Sequence, residues 1–177
     1  PRYFTVDEQK QLKEILTNSP NPWAWDFVTI ALKSGMRKSE ILGIGRGRHQ
    51  VPEDQPYGKI IQDYAFVHLF RTKNDTERVV ALHPDAAAAL KAMDSEPAKI
   101  FDHHKFYREW GRARDVIAFD DETFVFHVCR HTLATNLAKA RWNTVTIGAL
   151  LGHKSMHTTM KYIHPSDESM VAMINSL

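Results

Sequence analysis

The chain has 177 residues and a mass of 20.3 kDa, with 43% apolar and 25% charged residues, ordinary values for a single soluble globular domain that buries its own core. Its 23 Lys and Arg stand against 21 Asp and Glu, and the resulting charge of +2 is too weak to argue for a nucleic-acid partner. A single cysteine, Cys129, excludes an internal disulfide and a cysteine-only zinc site, and no run approaches the roughly 18 apolar residues of a membrane helix.

The chain opens on Pro1 with neither a starting Met nor a signal-peptide pattern, and so reads as a fragment of a longer protein. Thr5 and Glu8 form a capping box, with Phe4 before them as the hydrophobic staple. Leu12, Ile15 and Leu16 then recur at helical spacing, and the helix stops near Asn18, ahead of Pro20 and Pro22. A second helix is expected from Trp23 to Lys33 with Gly35 as its C-terminal cap, and a short one from Arg37 to Leu42. Gly43 to Gly58 reads as a loop with at most a short strand. Ile60 to Arg71 is strand material, Lys73-Asn74-Asp75 is a turn, and Val79, Val80 and Leu82 form the returning strand.

Pro84 suits a helix start, and Ala86 to Met93 has strong helix propensity. Further helices are expected over His104–Val116, Cys129–Ala140, Thr144–Leu151 and Ser155–Tyr162, with an amphipathic tail from Asp167. The fold class is therefore α+β, mostly helical with a small antiparallel sheet or hairpin.

Five places along this frame carry chemistry-bearing residues: Arg37, Lys73, His127 with Arg130, His153, and Tyr162. His127-Val-Cys-Arg130-His131-Thr-Leu-Ala-Thr, and Leu150-Leu-Gly-His153-Lys-Ser followed nine residues later by Tyr162, resemble the catalytic domain of the tyrosine recombinases, the phage-integrase family. Gly35-Met-Arg37-Lys-Ser-Glu40-Ile-Leu looks like that family's first arginine box. Arg71-Thr-Lys73-Asn, with Arg78-Val-Val-Ala-Leu after it, looks like its hairpin lysine. The motifs run in the family's order over nearly the whole chain.

The resemblance implies a site-specific DNA recombinase that cleaves and rejoins strands through a 3′-phosphotyrosine, integrating or excising a prophage or other mobile element. Tyr162 is then the nucleophile, because a tyrosine conserves the phosphate bond energy until a DNA hydroxyl attacks. His127 is the general base. Arg37, Arg130 and His153 stabilise the phosphate, since guanidinium forks bind its oxygens and keep their charge. Lys73 is the general acid for the leaving 5′-oxygen. No cofactor and no metal is implied. Expected partners are double-stranded DNA at recombination sites, further subunits of a tetramer, and directionality or DNA-bending factors, with no membrane. The location implied is the cytoplasm of a bacterial host.

The same resemblance divides the chain into a catalytic domain spanning residues 1–177, with a tail at 165–177 that docks in cis or in trans, and places the N-terminal DNA-binding domains outside it. Met170, Val171, Met173, Ile174 and Leu177 give the tail an apolar stripe. Arg71, Lys73, Arg78, Lys154 and Lys161 form a candidate DNA face. Glu40 reads as structural support for Arg37, Gly152 as the helix cap that sets the turn before His153, and His131 as a structural histidine. Family members usually carry Gly where this chain has Arg141, so the left-handed turn there is expected to pass to Asn143 or to change shape. Gly45–Gly58 is longer than the pattern and is a candidate for DNA or subunit contact through Arg46 and Arg48.

The residues admit three alternatives. His127/His131 and His153/His157 stand at the i,i+4 spacing of helical zinc ligands, but neither pair has a His-Glu-x-x-His motif or an acidic third ligand. A catalytically inactive DNA-binding module of the same fold would be expected to have lost the tyrosine, the lysine or an arginine, and all are present. A relaxing topoisomerase of the tyrosine type shares the chemistry, but the spacing of the boxes disfavours it.

Overall fold

The computed structural model describes residues 1–44, 56–71, 77–94, 103–163 and 167–176. Its first helix, α1 (Val6–Thr17), begins at the capping box: the Glu8 amide donates to Thr5 Oγ1 at 3.1 Å and the Thr5 amide to the Glu8 carboxylate at 2.8 Å. Phe4 is not a staple. The position four residues into the helix is Gln9, which binds the Phe4 carbonyl, and the Phe4 ring packs instead on Phe124 and Trp110.

Helix α2 (Ala24–Ser34) is the hub. Phe27, Val28, Ile30, Ala31 and Leu32 are buried, and it packs on α1, α4 and α6. It ends at Gly35, and Arg37 then starts the short α3 (Lys38–Leu42). Phe27 joins Phe106, Trp110, Phe124 and Phe126 in an aromatic cluster whose neighbouring ring centroids lie 4.6–5.9 Å apart. Such pairs add about 0.5–1.5 kcal/mol each beyond the area they bury. Phe106 and Trp110 come from α5 (His103–Ile117).

The sheet has three antiparallel strands in the order β1 (Tyr57–Ile61), β2 (Phe66–Arg71) and β3 (Arg78–Ala81). Ile60 pairs with Val67 and Val67 with Val80, and the alternation of the pleat buries Val67, Leu69 and Val80 on one face. The single strand expected over Ile60–Arg71 is in fact two strands and a tight turn. Gln62, Asp63 and Tyr64 turn the chain with φ of 50°, 48° and 66°, a conformation ordinarily signalled by Gly or Asn-Gly, and neither is present here. The expected turn Lys73-Asn74-Asp75 lies outside the described residues, as does most of the Gly45–Gly58 segment with Arg46 and Arg48.

Helix α4 (Pro84–Asp94) covers α2, and the C-terminal third is α6 (Val128–Lys139), α7 (Thr144–Leu151), α8 (Met156–Met160) and α9 (Asp167–Ile174). A smaller apolar cluster of Ala134, Ile147, Leu151 and Tyr162 joins α6, α7 and the turn after α8. Arg141 itself, at φ 61°, takes the left-handed position before α7. Asn143 keeps an ordinary φ of −59° and caps the helix, accepting the Val145 amide at 2.8 Å. The apolar side chains of α9 from Met170 to Ile174 face outward and are exposed. No helix among the described residues is long and apolar enough to cross a membrane.

Candidate active site

Arg37 sits at the N-terminus of α3, where Glu40 holds it twice. The Arg37 amide donates to Glu40 Oε2 at 2.7 Å and its guanidinium to Oε1 at 2.9 Å. Glu40 is fully buried and takes a second, bidentate guanidinium from Arg78 on β3. Burial alone would raise the Glu40 carboxyl, but the hydrogen bonds and charge of Arg78 and Arg37 outweigh it and hold the group below the ordinary carboxylate value. Arg78 is thus spent on an internal ion pair and does not belong to the expected DNA face; Lys154 and Lys161 are exposed, while Lys73 and the Arg71 side chain lie outside what is described.

His127 and Arg130 occupy the first turn of α6, with His127 at its N-cap. Arg130 is buried, and its guanidinium donates to the Gly35 carbonyl at 2.7 Å and the Leu151 carbonyl at 2.5 Å. These are the C-terminal ends of α2 and α7, where helix carbonyls and the helix dipole both favour a cation. Burial and the nearby Arg37 push Arg130 down to about 10, which leaves it charged at neutral pH. Arg37, His127 and Arg130 line one cleft of about 370 Å³, together with Met36, Lys38 and Tyr107. His127 is exposed at its mouth, and its pKa is lowered by partial burial and then by Arg130, Arg37 and Lys161.

Gly152 ends α7 in the left-handed conformation at φ 66°, and the Arg78 guanidinium lies 2.9 Å from where a Cβ would stand. That turn presents His153, whose Nδ1 is 2.7 Å from Thr159 Oγ1. Burial, then Arg130 and Lys161, push His153 down to about 4, so it is neutral at physiological pH. Its ring is nearly parallel to that of Tyr162, 6.5 Å away at 13°. Tyr162 is only 5% exposed; its pKa is raised by burial, against an opposing pull from Arg130.

The Tyr162 hydroxyl is hydrogen-bonded to Nδ1 of His131, one turn of α6 beyond His127. Sequence reading took His131 as structural. The i,i+4 spacing of His127 and His131 was its signal, but that spacing drew attention only as a metal pattern. Among the described residues there is no group of three or more His, Cys, Asp or Glu that could hold a metal ion. Of the six expected residues, the fold gathers Arg37, His127 and Arg130 in the cleft and His153 and Tyr162 beside Arg130. Lys73 lies outside the described residues.

Comparison with known proteins bears on the family and the fold. Residues 2–169 match the model of the phage integrase family. The chain is 29% identical over 143 residues to tyrosine recombinase XerA of Saccharolobus solfataricus, covering 78% of this chain and 44% of that protein. It is 26% identical over 179 residues to a shufflon-specific DNA recombinase of Escherichia coli, covering 99% of this chain and 43% of that one. It therefore spans less than half the length of either relative. Its fold is similar to that of the catalytic domain of bacteriophage HP1 integrase, with a TM-score of 0.69 at 22% identity over 99% of this chain and 95% of the other. It is also similar to the Tn1549 transposon integrase solved with circular intermediate DNA, at a TM-score of 0.71 and 17% identity over 99% of this chain and 66% of the other.

Proposed function

The chain belongs to the phage integrase family, with the fold of a tyrosine recombinase catalytic domain, and from that premise we propose that it is the catalytic part of a site-specific DNA recombinase. It cleaves one strand of a recombination site by attack of Tyr162 on the scissile phosphate and rejoins it to another, in the service of a prophage or other mobile element. The observation that carries this reading is the convergence of two arginines, two neutral histidines and a buried tyrosine at the junction of α2, α3, α6 and α7.

In this reading Arg37 and Arg130 grip the non-bridging oxygens of the phosphate. Both are preorganised, Arg37 by Glu40 and Arg130 by two helix-end carbonyls, and donors fixed in advance are commonly worth roughly 10²–10³ in rate each. His153 adds a donor from the α7 turn, and its neutrality leaves one ring nitrogen free to donate while Nδ1 faces Thr159. Lys73 protonates the leaving 5′-oxygen. His127 stands at the cleft as the family-like base or a proton acceptor nearby, its pKa lowered by burial and then by its cationic neighbours. The assembly is a tetramer on paired DNA sites, and the exposed apolar residues of α9 suit docking on a neighbouring subunit better than packing on their own core. Residues 1–177 form one catalytic domain, and DNA-binding domains elsewhere in the protein complete the grip on DNA. The location proposed is cytoplasmic.

The test is covalent trapping. The full-length protein is incubated with a nicked duplex from its own recombination site, with chelator present, beside Tyr162→Phe. A denaturation-resistant protein–DNA adduct that requires Tyr162 and forms in chelator is expected. Tight binding to a verified site with no adduct would overturn the reading in favour of a catalytically inactive DNA-binding module.

A further inference from the structure

Tyrosine is a poor nucleophile until its proton leaves, because an ordinary phenol titrates near pH ~10. Burial around Tyr162 makes the loss harder still. Among the described residues the hydroxyl has one direct partner, Nδ1 of His131. His127, the histidine of the family-like box, instead packs its ring against His131 edge-on, with centroids 4.8 Å apart. We infer that His131 is a catalytic residue of this chain, the group that takes the proton from Tyr162. The inference rests on the recombinase reading above and assigns one of its steps.

The geometry suits that role. His131 and Tyr162 come from different elements, α6 and the turn after α8, so their contact locks the nucleophile's turn against the helix that carries Arg130. Tyr162 is nearly buried and His131 partly so, so bulk water competes little for the hydroxyl proton. The charged and titratable groups acting on His131 are His127, Arg130, Lys161 and the amino group at Pro1. After burial itself, they push it down to about 4. The ring is therefore neutral at physiological pH and, with its proton on Nε2, presents a free lone pair at Nδ1. Binding of a DNA phosphate beside Arg130 offsets part of the positive field and makes the same nitrogen more basic when the proton must move.

The step balances without any further reagent. The Tyr162 O–H bond breaks and its proton passes to His131 Nδ1 as the phenolic oxygen bonds to phosphorus. The bond from phosphorus to the 5′-oxygen breaks, and that oxygen receives a proton from the acid assigned above to Lys73. His131 returns its proton when a DNA hydroxyl attacks the phosphotyrosine.

His131→Asn separates this role from a structural one, because its side-chain oxygen can accept the tyrosine hydrogen bond at the Nδ1 position but cannot carry a proton away. The experiment measures single-turnover adduct formation by the full-length protein on the nicked duplex, with DNA binding and thermal unfolding measured beside it. The expected result is a fall of about 100-fold or more in cleavage rate with site binding retained. The residual rate should climb about tenfold per pH unit, because the phenolate must then come from solvent. A His131→Asn rate within a few-fold of the unsubstituted protein, at unchanged pH dependence, would overturn the inference and leave the recombinase reading standing. Loss of all adduct from the unsubstituted protein on a verified site would instead overturn that reading and the inference with it. Should that variant not fold, His131→Gln, which likewise fills the site with an amide that cannot carry a proton away, is measured in its place and decides by the same two outcomes.

Discussion

The Glu40 carboxylate receives both terminal nitrogens of Arg78, at 2.8 and 2.9 Å, and the same carboxylate caps and clamps Arg37. One fully buried anion thus ties β3 to the helix start that carries a cleft arginine. Breaking a buried ion pair from one side strands the other charge, at a cost of about 3–5 kcal/mol. Glu40→Ala is expected to lose that much stability in urea unfolding. Glu40→Gln, which still accepts one hydrogen bond from each neighbour, is expected to lose less. An alanine variant within about 1 kcal/mol of the parent, the value of an exposed pair, would mean that the pair is not buried as described.

Acid should destabilise the fold in a defined window. His131 and His153 titrate near 4 in the fold against 6.5 in the unfolded chain, through burial first and then nearby cations. Between those values the unfolded chain binds more protons than the native one, so stability falls as pH drops from 6.5 towards 4. Glu40 adds a further loss lower down, since its folded value lies below 4.5 and its contribution disappears as pH falls through that range. Thermal unfolding across pH should show the first decline. In His131→Asn that decline should be shallower, because one of the two histidines no longer titrates.

Several of these relations were legible in the sequence, and the illegible ones share a cause. The Thr5–Glu8 box, the Gly35 cap, the start of α6 after His127 and the Gly152 turn are local signals, readable within a few residues, and the fold contains each of them. The turn at Gln62–Tyr64 was missed because its three left-handed residues include neither Gly nor Asn, and Asp63 alone is a weak signal between Gln62 and Tyr64. Arg78 looked like a surface cation because its partner, Glu40, is 38 positions away. The contact between His131 and Tyr162 spans 31 positions and depends on how α6 and α8 pack, which no local pattern encodes. Order along the chain revealed the family's boxes, but not which histidine meets the tyrosine.

Two left-handed positions flank α7 and should respond in opposite directions to substitution. Arg141 holds φ 61° with a side chain, a conformation that costs an L-residue about 1–2 kcal/mol. Arg141→Gly removes that strain, part of which returns as entropy of the unfolded chain, for an expected net gain of about 0.5–1 kcal/mol. Gly152 is the reverse case. At φ 66° an added Cβ is strained, and it would also stand 2.9 Å from the Arg78 guanidinium, which Glu40 holds in place and which cannot simply swing aside. Gly152→Ala is therefore expected to lose about 2 kcal/mol or more. The displaced turn should carry His153 with it, so strand cleavage should fall by more than DNA binding does. Urea unfolding of both variants, with adduct formation measured for Gly152→Ala, checks the pair. Equal and small effects at the two sites would show that Arg78 does not brace the turn that presents His153.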